Sequence, residues 1–350
     1  MKIGAFYSFE DIRCEEAPIP NIGSGDILVK MRVCGVCGSE LHPEYVKNKI
    51  EQRGKKPVII GHEVSGEVIK VGKSVTKFEV GDRVAPHHHV GCLSCWYCNH
   101  GAYAVCPEFY SSNIEPGGFA EYFRVPERLV KNDTHLIPDN LSFEEAALME
   151  PTGCVIRSIM RTPLKPGDAV AVLGTGPMGL THIKLLTIFG GGEIIATDLS
   201  DFRLKAAKKF GATLPINPGL MDPVKEAKNI TDGRGVDAVF ATTIAAEAIV
   251  QAIKMLRPGG TLLLYGGDGV ISPKFKLTIS EIYQMCPEIT ITSIRSPSHI
   301  ETKMALELMR TKRLKLGDLV THRFTLEKVD EAFSFAQKRE NSLKTVIINN

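Results

Sequence analysis

The strongest constraint on the fold lies in Gly174-Thr175-Gly176-Pro177-Met178-Gly179, which follows the apolar run Ala169 to Leu173 and opens an amphipathic segment at Pro177. A G-x-G-x-x-G pattern carries meaning only between a strand and a helix. In that setting Gly174 permits the tight turn, Gly176 lets a pyrophosphate approach the backbone, and Gly179 lets helix and strand pack closely. Pro177 and Met178 then belong to the helix N-terminus that faces the anion. The texture continues downstream. Glu193 to Thr197, Thr213 to Asn217, Val236 to Ala241, Thr261 to Tyr265 and Ile289 to Ile294 read as strands, with helices from Asp201, Asp222 and Ala245. Six strands joined by crossover helices imply a doubly wound parallel α/β sheet. Asp198 ends the second strand nineteen residues past Gly179, where a carboxylate accepts ribose hydroxyls and repels a 2′-phosphate, so NAD is expected over NADP. Arg203, five residues later, partly offsets that repulsion. The plainer alternative is a βα turn shaped by glycines, with Asp198 capping the next helix.

At 350 residues the chain exceeds one ordinary core, so two domains are expected. The part preceding the sheet reads as β structure. Ile3 to Phe6 and Asp26 to Val33 are β-prone runs separated by the turn-forming Ala17-Pro18-Ile19-Pro20 and Gly23-Ser24-Gly25-Asp26. Val58 to Glu63, Ser65 to Val71 and Gly81 to Val84 continue it towards an antiparallel barrel. Leu141 to Met149 reads as a helix opened by Ser142, and the tail as a helix (Glu301 to Arg310), a strand (Leu319 to Phe324), a helix from Leu326 and a last strand (Thr345 to Ile348). Val46 to Pro57 and Tyr110 to Pro116 read as loops that shape a substrate pocket.

With 42 basic and 40 acidic residues the formal charge is +2, and no basic block makes a nucleic-acid face. No run reaches the roughly 18 to 20 apolar residues of a membrane span, and the start of the chain does not read as a signal peptide. A cytoplasmic location is therefore expected, where nine cysteines are thiols rather than disulfides. Four of them, Cys92-x-x-Cys95-x-x-Cys98-x7-Cys106, offer the closed tetrahedron of a structural zinc. An iron–sulfur cluster also uses clustered cysteines, but with different spacings. His87, His88 and His89, just upstream, read as a solvated strand end, with adventitious metal binding by the three imidazoles as the alternative. Cys14, Cys34, Cys154 and Cys286 read as small buried side chains.

A second set is dispersed. Cys37-Gly38-Ser39-Glu40-Leu41-His42 places a thiol, a hydroxyl, a carboxylate and an imidazole close together, and His62-Glu63 and Glu150 add further ligand types acceptable to a catalytic zinc. Spacing alone does not show that they meet. These motifs, together with Gly61-His62-Glu63, Gly117-Gly118-Phe119-Ala120-Glu121-Tyr122, Glu150-Pro151 and the nucleotide loop, occur in the order seen in the zinc-dependent medium-chain alcohol dehydrogenases. The resemblance covers essentially the whole chain and is closest to the sorbitol-like polyol dehydrogenases and the threonine dehydrogenases, which share Glu-Pro at this position.

The resemblance implies a GroES-like β-barrel catalytic domain (1–150, with a structural zinc loop at 87–110), a Rossmann NAD-binding domain (151–294) and a return to the catalytic domain (295–350). It also implies a homo-oligomer, a dimer or tetramer. Cys37 and His62 are implied to bind the catalytic zinc directly, Glu63 to be a near or transient ligand, and Glu150 to bind directly or through water. Ser39 and His42 match the proton relay. Glu40 departs from the usual Asp, which puts its support of the ligand histidine in question. The implied reaction is reversible oxidation of a small polar secondary alcohol, a polyol or sugar alcohol, to a ketone with hydride transfer to NAD. L-Threonine or another amino alcohol, and a zinc-binding NAD protein without turnover, are the alternatives. Zinc-free quinone or enoyl reductases share the fold but lack both metal sets. Arg295 reads as either a surface residue or a contact to a substrate hydroxyl, phosphate or carboxylate.

Overall fold

The computed structural model describes residues 1–54, 57–243, 245–266, 275–338 and 340–349. The chain divides into two compact units, Met1–Gly153 with Pro297–Asn350, and Cys154–Ser296.

The second unit is built on six parallel strands, Val170–Leu173, Ile194–Thr197, Leu214–Ile216, Val236–Ala241, Leu256–Tyr265 and Thr290–Ile294. In the sheet they lie third, second, first, fourth, fifth, sixth, the order of the dinucleotide-binding sheet. The order reverses beside the first strand, and a ligand crevice forms at such a point. Val170–Leu173 is buried along its whole length because helices cover both faces of a parallel sheet. The fifth strand starts at Leu256, five residues before the apolar run that marks it in the sequence. Its first part, Arg257-Pro258-Gly259-Gly260, has no strand-like composition and is held by register with Val236.

The first unit contains a seven-stranded sheet organised around Ile27–Gly35. That strand pairs antiparallel with Glu63–Val71, Tyr122–Val125 and Lys344–Ile348. Phe6, Met31, Phe119, Phe123 and Phe333 fill the core against it. The tail helix begins at His299, two residues before its expected start, because Ser298 and Glu301 form a reciprocal capping box.

Two helices depart from the sequence reading. Pro43–Arg53, which overlaps the Val46 to Pro57 segment expected as a loop, is helical: Pro43 sits at its first turn, Glu44 follows, and Gly54 ends it in the left-handed region at φ +62°. Lys55 and Lys56 of that segment lie outside the described residues. The helix opened by Ser142 is short, Phe143–Ala147, and a second one, Met149–Met160, carries Glu150 in its first turn. Cys34, Cys154 and Cys286 are buried, whereas Cys14 is partly exposed.

Candidate active site and metal centres

The nucleotide loop is shaped by contact. A Cβ at Gly174, whose φ is +88°, would lie 2.8 Å from Thr242 Oγ1, and one at Gly179 would lie 1.9 Å from the Gly174 carbonyl oxygen. At Gly176 a Cβ would meet nothing within 4 Å, so space is open above the N-terminus of the twelve-residue helix Pro177–Ile188, as a bound pyrophosphate requires. Asp198 Oδ2 accepts hydrogen bonds from Thr175 N at 2.8 Å and Thr175 Oγ1 at 3.1 Å, and Oδ1 accepts from Ser200 N at 3.0 Å. Arg203 Nη1 stands 4.0 Å from Asp198 Oδ2. The cap of the next helix is Ser200, so Asp198 does not serve as that cap and is tied to the glycine loop instead.

The dispersed ligand set assembles in the first unit. Potential ligand atoms of Cys37, His62 and Glu63 all lie within 4.8 Å of one another. Glu40 has no exposed surface. Its Oε1 lies 3.0 Å from His62 Nδ1 and accepts from Gly61 N at 3.0 Å, and its Oε2 accepts from Cys37 N at 3.0 Å. The longer carboxylate therefore does reach the histidine, and it leaves Nε2 as the nitrogen for a metal. A soft thiolate, a fixed imidazole and a carboxylate form a donor set that suits zinc. Ser39 Oγ donates to Cys37 Sγ at 3.3 Å, while His42 is joined to Ser39 through the backbone, His42 N to Ser39 O at 3.1 Å.

Glu63 is held by a residue the sequence reading missed. Lys344 Nζ donates to Glu63 Oε1 at 2.6 Å, and both side chains are buried. Burial of the Lys344 ammonium disfavours its charge, but Glu63 and Cys37 outweigh that and raise its pKa. Gly35 makes room for the pair, since a Cβ there would lie 2.1 Å from Glu63 Oε2. The available signal is a lone lysine at the head of the buried strand Lys344–Ile348, where only a buried partner makes a charge tolerable.

The three consecutive histidines are not a solvated strand end. His87 is 0% and His89 4% exposed. His87 Nδ1 lies 2.7 Å from Asp133 Oδ2, and Asp133 Oδ1 lies 2.9 Å from His135 Nε2 and accepts from Thr302 Oγ1 at 2.6 Å. Burial raises a carboxyl pKa, but His87 and His135 outweigh it and hold Asp133 well below the usual range. His89 donates from Nδ1 to Ser112 O at 2.6 Å. Burial, with the neighbouring imidazoles and Lys49 acting the same way, drives His89 down to about 3 and His88 well below its ordinary value. Glu150, also buried, groups within 4.8 Å with His87 and His88. Burial raises its pKa, and His62 and His87 act against that rise.

The four-cysteine loop closes on itself. Cys95 and Cys92 sulfurs each lie 3.7 Å from Cys106 Sγ, which is about the edge of a tetrahedron of sulfurs at ~2.3 Å from a zinc and far beyond a ~2.05 Å disulfide bond. Backbone N–H groups of Cys95 and Cys92 donate to the sulfurs of Cys92 and Cys106 at 3.3 and 3.4 Å. Ser94 favours the Cys92 thiolate, lowering it to about 6, whereas burial pushes Cys98 up to about 12. A metal is the natural way to hold all four as thiolates.

A six-stranded dinucleotide-type sheet joined to a β unit that carries, among the described residues, a four-cysteine group, a Cys37, His62 and Glu63 group and a His87, His88 and Glu150 group is the architecture of a metal-linked oxidoreductase. The comparisons with known proteins agree. Residues 23–139 match the alcohol dehydrogenase GroES-like domain and residues 177–311 the zinc-binding dehydrogenase domain. The chain is 36% identical to sorbitol dehydrogenase of Bacillus subtilis over 99% of its length and 97% of that protein's. It is 34% identical to L-threonine 3-dehydrogenase of Pyrococcus abyssi, covering 91% and 90% of the two chains. Among solved structures it is similar to galactitol-1-phosphate dehydrogenase from Escherichia coli, at 26% identity, TM-score 0.85 and 100% coverage of both chains. The chain belongs to the zinc-dependent medium-chain alcohol and polyol dehydrogenases, an enzyme family.

Proposed function

We propose that this protein reversibly oxidises a small polar secondary alcohol to a ketone with NAD, holding one catalytic and one structural zinc per chain. The observation that carries the reading is Glu40: a buried carboxylate set against His62 Nδ1 aims the other ring nitrogen beside Cys37 and Glu63. A core histidine without a metal has no need of that arrangement. Sorbitol, L-threonine and galactitol 1-phosphate, the substrates named for the relatives, define the range of polar alcohols to consider.

In this reading residues 1–150 and 295–350 form the catalytic domain, residues 151–294 bind NAD, and residues 87–110 carry the structural zinc through Cys92, Cys95, Cys98 and Cys106. Cys37, His62 and Glu63 hold the catalytic metal, and Glu150 holds it directly or through water. A bound zinc supplies Lewis acidity that makes the substrate hydroxyl a readier proton donor near neutrality. Ser39 takes that proton and His42 passes it to solvent. Gly174, Gly176, Pro177, Met178 and Gly179 seat the pyrophosphate, and Asp198 receives the ribose hydroxyls, with Arg203 beside it. The alcohol loses a hydride to NAD and a proton to Ser39, so the products are ketone, NADH and one proton. The enzyme works in the cytoplasm as a dimer or tetramer.

The test is NADH formation across polyols, diols, amino alcohols and their phosphates, with NADP in parallel and zinc counted per chain. Turnover of a secondary alcohol with two zinc ions per chain is the expected result. One zinc and no turnover on the whole panel would instead fit a zinc-binding NAD protein without catalysis.

A further inference from the structure

The three histidines that follow the strand Arg83–Pro86 supply a further group of donors in the first unit. Ligand atoms of His87, His88 and Glu150 lie within 4.8 Å of one another, and Glu150 reaches them from the first turn of the helix Met149–Met160. His87 and Glu150 are 0% and 7% exposed. His89 is engaged elsewhere: its Nδ1 donates to Ser112 O at 2.6 Å and its ring packs 5.3 Å from that of Phe109.

His87 is arranged as a ligand rather than as an ordinary core side chain. Its Nδ1 lies 2.7 Å from Asp133 Oδ2, and Asp133 is itself fixed by Thr302 Oγ1 at 2.6 Å and His135 Nε2 at 2.9 Å. A carboxylate set on one imidazole nitrogen keeps the proton there and leaves the lone pair on the other. That other atom, His87 Nε2, is buried and has no hydrogen-bond partner among the described residues, and the same holds for His88 Nδ1. Buried polar atoms in native proteins are nearly always paired, so two such nitrogens grouped with a buried carboxylate call for a cation. The neighbouring set repeats the device, with Glu40 Oε1 3.0 Å from His62 Nδ1, and the rings of His62 and His88 stand 4.7 Å apart.

We infer that His87, His88 and Glu150 form a further metal position, taking a divalent transition ion of the zinc type beside the Cys37, His62 and Glu63 set. Two imidazoles and one carboxylate are a zinc donor set in their own right. With no thiolate among its donors, the position binds zinc more weakly than the two cysteine-containing groups, so it fills only as free zinc is raised above what those two require. A carboxylate offers two oxygens, so a place for Glu150 here is compatible with a contact to the catalytic metal. The inference goes beyond the dehydrogenase reading and does not depend on turnover.

The full chain, already carrying its tightly held zinc, is dialysed to equilibrium against rising concentrations of zinc, and bound metal is counted per chain in the parent, His87→Gln, His88→Gln and Asp133→Asn proteins. The parent should take up one further ion, and His87→Gln and His88→Gln should each lose that ion and keep the tightly held ones. Asp133→Asn should weaken the further ion by about tenfold to a hundredfold, as loss of the partner that orients a ligand histidine does. If the fully buried His87 cannot be replaced without unfolding, His88→Gln, at a partly exposed position, decides the question alone. A parent chain that takes up no further ion overturns the inference. Uptake that persists unchanged in His88→Gln also overturns it, since the ion is then adventitious and lies elsewhere. Loss in His88→Gln of a tightly held ion instead of the further one places His88 in another site and overturns it as well. Because the readout is a difference in metal count between parent and variant, it stands whether or not the protein oxidises an alcohol.

Discussion

Replacing Glu40 by glutamine tests the centre of the site with little change of volume. Three N–H groups converge on the carboxylate: Cys37 N on Oε2 at 3.0 Å, and Gly61 N and His62 Nδ1 on Oε1, each at 3.0 Å. An amide has one acceptor oxygen, so in either orientation its NH2 group faces at least one of these donors inside the protein. A buried donor left without an acceptor costs about 1–3 kcal/mol. Loss of the partner that orients a ligand histidine costs roughly 10- to 100-fold in metal affinity, equivalent to about 1.4–2.7 kcal/mol, so two independent routes give the same size of effect. The assay is zinc release to a competing chelator, followed by metal content, with the four-cysteine site as an internal reference on the same chain. One zinc should leave at roughly 10- to 100-fold lower chelator concentration than in the parent protein, while the other is retained. Glu40→Asp keeps the charge but shortens the reach, and should fall between the two. If Glu40→Gln holds both zinc ions as tightly as the parent chain, Glu40 does not orient His62 for a metal and the assignment of the site fails.

Other perturbations have equally definite outcomes. Glu150→Ala should impair turnover while leaving NAD binding intact by fluorescence titration, and unchanged turnover on the true substrate removes Glu150 from the site. Asp198→Ala removes the acceptor for Thr175 N at 2.8 Å and the expected repulsion of a 2′-phosphate, so kcat/KM with NADP should rise relative to NAD. Cys95→Ser should lower the melting temperature and release one zinc while the metal at Cys37 and His62 remains, as metal counting on the variant will show. His182, fully buried, lies 2.6 Å from Ser158 Oγ and 2.8 Å from Met178 O, and burial lowers its pKa to about 4. Because the unfolded chain binds the proton more readily, its contribution to stability is present above about pH 6.5 and is lost as pH falls from there through about 4. Denaturant melts of His182→Leu should show a shallower loss over that window, and an identical acid limb would count against the assignment.

How much of this could be read in the sequence depended on the range over which each feature is determined. The six strands, the glycine loop and Asp198 repeat a local pattern of strand, turn and helix, and the sheet has one of the few orders that pattern allows. The four sulfurs come from fifteen consecutive residues, so their spacing already limits their geometry. The helix Pro43–Arg53 was hidden because charged and polar residues dominate it. Only Val46 is buried, so little apolar periodicity marks it, and its helical state rests on the Pro43 start and Gly54 stop.

The interior of the catalytic set lies beyond local reading for a physical reason that also explains the misread histidines. Pattern rules assign polarity to the surface, because most charged and polar side chains are solvated. His87, Asp133, Glu63 and Lys344 violate that rule in pairs, and each member is tolerable only because its partner arrives from far along the chain: Asp133 for His87 at 2.7 Å, Lys344 for Glu63 at 2.6 Å. One member of such a pair looks like a surface residue in the sequence, since the compensation is not next to it. The cost of separating the members is the measure of how firmly the site is built. Removing one partner of a buried pair typically costs about 3–5 kcal/mol, whereas an exposed pair is worth about 0–1 kcal/mol. The same sorting separates the surface pairs here, such as Arg310 with Glu307, from these two buried ones. The two buried, mutually compensated pairs, His87 with Asp133 and Glu63 with Lys344, include members of both ligand groupings, Glu63 beside Cys37 and His62, and His87 beside His88 and Glu150, which makes that region the functional-site candidate on physical grounds as well as by motif.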